Sequence, residues 1–303
     1  MKVRILAVLL ALATLVAVVL AAPAGLEHIG FKHPFTAPSP RTFPHNYIGI
    51  VSYNVAKFDQ ACGCSPNVAV KYLPIGGSTD MGGARSILAT GAVPLLELEP
   101  FGISLAKISS GGEDAWLTKY AHAVSSLHSP VIMSFAPEAN GSWYPWGYHH
   151  MAPGAVLKAY QHVVTIFREA RVRDVKWAWI VNVQFAGSEN IEALWPGQAF
   201  VDILGIDGYF VAPGTFQDFF GSTIYALRTI SPDPLMITET GGSPSIGKVT
   251  ALSEITAGVA QYGLIGFIWF DIKQHGSIER QDWSLEDEPA ALDLFKSAVK
   301  RIR

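Results

Sequence analysis

From Tyr47 onward the chain alternates between short, mostly apolar runs and longer stretches in which apolar residues recur every three or four positions. The apolar runs are 47–52, 68–73, 93–98, 130–135, 175–181, 201–206, 235–238 and 266–270. A strand apolar throughout needs cover on both faces, which is the condition of a parallel sheet under helices. The intervening stretches fit those helices. Trp116, Tyr120, Val124 and Leu127 share one helical face, and Val156, Tyr160, Val163, Val164 and Phe167 share another behind Pro153, a good first-turn residue. In the last stretch Leu292, Phe295, Val299 and Ile302 recur at the same spacing, with Asp287 and Glu288 before it and Lys300, Arg301 and Arg303 at its end, as the helix dipole favours. Eightfold strand–helix alternation over roughly 250 residues predicts a single-domain α/β fold, the (β/α)8 TIM barrel, over residues 45–303. A doubly wound open sheet is the alternative, but no GxGxxG turn follows the first run and no Walker loop occurs.

The segment before this pattern reads differently. Residues 1–24 carry Lys2 and Arg4, an apolar stretch and the A-x-A-like Ala22-Pro23-Ala24, the pattern of a secretory signal. Because the apolar run continues to Ala22, an uncleaved membrane anchor is the other reading. Either places the domain outside the cytoplasm, secreted in the first case and tethered to a membrane in the second. Residues 25–44, with Pro34, Pro38, Pro40 and Pro44, read as an extended tether. Two cysteines, Cys62 and Cys64, are too few for a zinc site and predict a local disulfide in an oxidising compartment. Charged residues make up 16% of the chain and its net charge is −3, so the clustered basic excess that nucleic-acid binding requires is missing. Eight tryptophans on so weakly charged a chain suit a sugar partner better.

In a barrel the reacting groups lie at the C-terminal ends of the strands. The polar and aromatic residues there are Asn54 after the first run, Glu97 and Glu99 at the third, Glu138 and Asn140 at the fourth, and Asn182 and Gln184 at the fifth. Asp207 and Tyr209 follow the sixth, Glu239 the seventh, and Trp269 and Asp271 mark the eighth. Any one carboxylate at a strand end can be a helix cap or a rim ion pair. Glu138 and Glu239 together, three strands apart in the ring and so facing across its mouth, match the acid/base and nucleophile of retaining glycoside hydrolysis.

The stretch Ser134-Phe-Ala-Pro-Glu-Ala-Asn-Gly-Ser-Trp-Tyr-Pro-Trp-Gly147 resembles the fourth-strand motif of glycoside hydrolase family 26. Ile237-Thr-Glu-Thr-Gly241 is similar to that family's seventh-strand motif, Val201-Asp-Ile-Leu-Gly-Ile-Asp-Gly-Tyr209 to its sixth, and Val175-Lys-Trp-Ala-Trp179 with Asn182 to its fifth. The resemblance implies that Glu138 is the acid/base, Glu239 the nucleophile, Tyr209 the nucleophile's neighbour and Trp269 a sugar platform. Glu99, Asn140, Trp143, Trp146, Asn182 and Asp207 are further expected sugar contacts, with at least one of Trp143, Tyr144 and Trp146 an exposed platform. Asp207 and Asp271 could equally hold barrel neighbours in place, and Asp282 and Trp283 are weaker cleft candidates. Where many members of the family have His before the acid/base, this chain has Pro137, which bears on substrate preference.

The implied activity is endo-hydrolysis of a β-linked polysaccharide, β-1,4-mannan first, with a β-1,3- or mixed-linkage glucan or xylan as alternatives, and a non-catalytic carbohydrate-binding barrel as a different class. No cofactor or metal is implied, since adjacent His149 and His150 lack a third ligand. The expected partner is a poly- or oligosaccharide, met by a monomer.

Overall fold

Parallel pairing closes without a break around eight strands. In this computed structural model, which describes residues 42–273 and 282–301, the strands are β1 (Tyr47–Val51), β2 (Val68–Pro74), β3 (Val93–Glu99), β4 (Val131–Phe135), β5 (Val175–Asn182), β6 (Ile203–Asp207), β7 (Leu235–Thr240) and β8 (Gly266–Phe270). Helices α1 (Val55–Cys62), α2 (Gly82–Leu88), α3 (Leu105–Ser109), α4 (Asp114–Ser125), α5 (Pro153–Glu169), α6 (Ser222–Ile230), α7 (Lys248–Gln261) and α8 (Pro289–Arg301) join them. This is the (β/α)8 barrel that the alternation predicts, and the open sheet is excluded by β1–β8 pairing from Tyr47↔Gly266 to Val51↔Phe270.

Alternation along each strand divides the core in two. Tyr47, Val51, Val68, Val70, Val93, Leu95, Ile132, Ala178, Ile180, Ile203, Met236 and Ile268 fill the barrel. The intervening residues pack outward on the helices, where the predicted faces Tyr120–Val124 and Val156–Phe167 are buried. Interior space is tight: a Cβ on Gly49 would lie 2.4 Å from Val68 Cγ1. Strand ends depart from the expected ones in places that matter. β6 starts at Ile203 because Asp202 turns out of the run to accept from the Trp177 amide at 2.8 Å. β7 runs on to Thr240, so Glu239 stands within the strand, beside a register shift that sets it opposite Asp207.

Cys62 and Cys64 form the expected disulfide, at the end of α1. The leader, residues 25–41 of the tether, and Ile302 with Arg303 lie outside the described residues. Among those described, no helix is long and apolar enough to cross a membrane.

Candidate active site

The mouth of the barrel gathers buried carboxyl groups from four strands. On β3 the phase that turns Val93 and Leu95 inward carries on to Glu97 and Glu99, so both glutamates enter the mouth in successive layers. β6 contributes Asp207, whose Oδ1 accepts from Thr238 Oγ1 at 2.6 Å, and β7 contributes Glu239. Glu138 arrives by a different route. After β4 the backbone turns left-handed at Ala136 (φ 47°) and again at Glu138 (φ 55°), a conformation costing roughly 1–2 kcal/mol per non-glycine residue. It is held there by Ala136 N donating to Leu98 O (2.9 Å) and Glu138 N to Ile180 O (3.0 Å), one neighbouring strand on either side. Trp146 adds an Nε1 bond to Pro137 O at 2.8 Å.

Glu138 and Glu239 are 3% and 7% exposed, and every carboxylate oxygen of the pair receives a donor. Asn182 Nδ2 donates to Glu138 Oε1 at 2.5 Å and Trp143 Nε1 to Oε2 at 2.7 Å. Tyr209 donates its hydroxyl to Glu239 Oε1, and Tyr72 donates to Oε2 at 2.5 Å. Among the described residues no Lys or Arg ion pair reaches any of the five carboxyls. Burial without such a pair favours the protonated forms. Burial, then the charge of Glu239, pushes Glu138 up to about 8 against the bonds from Asn182 and Trp143. Burial, then the charges of Glu239 and Glu138, takes Glu99 to about 8 as well. Glu97 and Asp207 lie well above the carboxylate range through burial and the same neighbours. Glu239 is raised by burial alone, and its two phenol bonds oppose that rise. The site thus holds one carboxyl whose rise two phenol bonds oppose beside one that burial and a neighbouring charge push up to about 8.

Several expected sugar contacts prove to be supports. Asn140 is fully buried and clasps the Asn182 backbone twice, Oδ1 accepting from Asn182 N and Nδ2 donating to Asn182 O, both at 2.8 Å. It positions the amide that reaches Glu138. Trp146 is buried, stacked on Tyr144 at 4.4 Å, so both rings lie under the fourth loop. Trp143 alone of the three stays partly open, stacked on Phe185 at 5.9 Å. Trp269 is 0% exposed and points outward into the helical layer, its Nε1 bonded to Trp283 O at 2.8 Å, because on β8 the inward phase belongs to Ile268 and Phe270. It offers no face to a sugar. Trp283, itself buried, packs beside the mouth with its ring centroid 4.8 Å from that of Tyr209, and among the described residues its Nε1 has no hydrogen-bond partner.

Asn54 caps α1 by accepting from Lys57 N, and Asp271 accepts from Leu285 N at 2.6 Å, tying down the loop after β8. Glu99 remains a mouth residue, its Oε1 buried and without a hydrogen-bond partner among the described residues. His150 Nε2 lies 2.9 Å from Ser142 O, within the fourth loop. Tyr72 was not among the expected residues. Its one signal in the sequence is phase, since it continues the inward series Val68, Val70 on β2.

Fold and mouth together define a (β/α)8 barrel with buried carboxyl groups gathered at the C-terminal ends of its strands. The chain belongs to glycosyl hydrolase family 26, whose family model matches residues 115–284. Endoglucanase H of Acetivibrio thermocellus is 27% identical over 234 residues, 71% of this chain and 25% of that protein. A mannan endo-1,4-β-mannosidase of Bifidobacterium adolescentis is 28% identical over 127 residues, 41% of this chain and 12% of that protein. The chain therefore spans a quarter or less of the curated relatives it matches. Among solved structures, a family 26 β-mannanase from Bacteroides ovatus superposes with a TM-score of 0.64 at 16% identity, covering 86% of this chain and 89% of that one. A modular endo-β-1,4-mannanase from Cellulomonas fimi gives 0.61 at 19% identity, covering 84% and 70%. At these identities the likeness is one of fold.

Proposed function

We propose that the chain is a retaining, endo-acting β-glycoside hydrolase in which Glu239 is the nucleophile and Glu138 the acid/base. The observation that carries this reading is the opposite treatment of the two carboxyls, Glu239 held by two phenols and Glu138 lifted to about 8 by burial and by the charge of Glu239. In the first step a Glu239 oxygen bonds to the anomeric carbon as the glycosidic C–O bond breaks, and the Glu138 proton passes to the departing oxygen. The glycosyl ester neutralises Glu239, which removes the main charge raising Glu138, so Glu138, having given up its proton, stays ionised and free to accept one. It then takes a proton from water, whose oxygen displaces Glu239 from the anomeric carbon and restores both groups.

β-1,4-Mannan is the first substrate to test, in line with the mannanases among the solved structures that share this fold. A β-glucan is the second reading, supported by the longer alignment to an endoglucanase and by Pro137, which cannot hydrogen-bond a sugar hydroxyl through a side chain. The N-terminal 24 residues support secretion as part of the same proposal. Incubation with carob mannan, lichenan and laminarin tests it. Oligosaccharides released with retained anomeric configuration are the expected result, and the polymer that yields them names the substrate. Retarded migration in a polysaccharide gel without any product would make the chain a binding barrel instead.

A further inference from the structure

Among the described residues three large apolar side chains stand out into solvent, Tyr53, Tyr225 and Leu294. Tyr225 and Leu294 lie on the outer helices α6 and α8. Tyr53 is different, since it follows β1 directly and stands at the same end of the barrel as Glu138 and Glu239. The alternation that turns Tyr47 and Val51 to the barrel axis falls next on Tyr53, yet its ring is 67% exposed.

Its setting is rigid. Ser52 Oγ accepts from Asn54 N, Asn54 Oδ1 accepts from Lys57 N to start α1, and Asp271 N donates to Val51 O from the neighbouring strand at 2.9 Å. Partial burial of the phenol end raises its pKa. An aromatic face held out over water at the active-site end of the barrel suits stacking on the apolar face of a pyranose.

The ring order supplies direction. β1 lies opposite β5 in the closed sheet, and the loops after β4 and β5 carry the Trp143–Phe185 stack. Trp143 bonds to Glu138, which marks that side as the one receiving the leaving group. A chain that runs from Trp143 straight across the mouth reaches the opposite side of the ring at β8 and β1. We infer that Tyr53 is a sugar-stacking platform on the non-reducing side of the bond cleaved, binding a neutral pyranose ring beyond the one that Glu239 attacks.

The inference rests on the proposed hydrolase reading, and its test separates the two. Tyr53→Ala, Tyr53→Phe and Tyr53→Trp are compared with the parent on the polymer it degrades best and on a ladder of its oligosaccharides. Tyr53→Ala is expected to raise KM about 10-fold on polymer and long oligosaccharides with kcat held within about twofold, and to shift the cut position in the longer ones. Phe and Trp should keep the parental KM. An unchanged KM and product pattern in Tyr53→Ala, or an equal loss in all three variants, overturns the platform. Affinity electrophoresis of Glu239→Gln with and without Tyr53→Ala gives a readout free of turnover. Tyr53-dependent retardation in a polysaccharide gel, found with a parent that releases nothing from any polymer, would sink the hydrolase reading and leave the platform standing.

Discussion

Removing the Tyr72 hydroxyl should move one limb of the pH–rate profile and leave the other in place. Tyr72 donates to Glu239 Oε2 at 2.5 Å, and this bond, with that from Tyr209, opposes the rise that burial imposes on Glu239. A hydrogen bond to a charged group is worth roughly 1.5–3 kcal/mol, and about 1.4 kcal/mol corresponds to one pH unit, so losing it raises Glu239 by roughly one to two units. Tyr209 still holds Oε1, which favours the lower end. Glu239 must be ionised to attack, so the acid limb of kcat/KM moves to higher pH in Tyr72→Phe by about one unit. The alkaline limb follows loss of the Glu138 proton at about 8 and stays where it is, and the bell narrows. Trp143→Phe gives the mirror result. It deletes a bond that lowers Glu138, so the alkaline limb moves up while the acid limb holds. The assay is kcat/KM from pH 4 to 10 on a soluble oligosaccharide, with a melting curve at each end to exclude unfolding. If Tyr72→Phe moved the alkaline limb, or moved neither, the assignment of the two limbs would be wrong.

Glu239→Ala should lose nearly all turnover and regain part of it with azide, giving a glycosyl azide of inverted configuration. Full activity in that variant removes Glu239 from the reaction. A crystal structure should place the carboxyl groups of Glu138 and Glu239 roughly 5–5.5 Å apart, whereas a separation near 9 Å would signal inversion. With no imidazole at position 137, the nucleophile leans on the Tyr209 hydroxyl, so Tyr209→Phe is expected to lower kcat about 10-fold or more; wild-type kcat in that variant would refute it. Glu97, Glu99, Glu138 and Asp207 all have raised folded-state values, so over the range between the ordinary carboxylate value and about 8 the native state binds more protons than the unfolded chain. Stability from these groups is therefore complete in mild acid and declines as pH rises, by up to about 1.4 kcal/mol per unit for each group. Melting temperature should fall from pH 5 to pH 8, and Glu97→Gln should flatten the fall; a steeper slope in that variant would contradict the protonated assignment.

The barrel was legible because strands buried on both faces must be largely apolar, and all eight runs in the sequence meet that condition. The same property hid the side chains' directions. Gly266–Phe270 contains no polar residue to mark which face looks inward, so Trp269 passed for a mouth residue although Ile268 and Phe270 hold the inward phase. Tyr72 was overlooked for the converse reason, being an aromatic within an apolar run whose polar tip alone reaches the site. Asn140 and Trp146 fall in a loop whose path depends on left-handed turns at Ala136 and Glu138, which side-chain periodicity does not encode. Glu138, Glu239, Asn182 and Tyr209 were found because each is polar or polar-tipped at a strand end, with little apolar use there to compete.

The crowding of carboxyls bears on which sugar the proposed hydrolase would accept. Five buried carboxyls without a paired cation cannot all ionise, and the group with two phenol donors is the one favoured to carry the charge. Glu97, Glu99, Glu138 and Asp207 are then hydrogen-bond donors as well as acceptors, matching hydroxyl groups that also do both. A single negative charge beneath the anomeric carbon is what an oxocarbenium-like transition state requires, and further ionised neighbours would raise the value of Glu138 without adding a better-placed charge. A uronic acid in the cleft would bring a second charge into the same poorly solvated mouth, at a cost that no Lys or Arg among the described residues offsets through an ion pair there. On the proposed reading, the raised carboxyls of the mouth favour a neutral polysaccharide over an anionic one, before any contact distinguishes mannose from glucose.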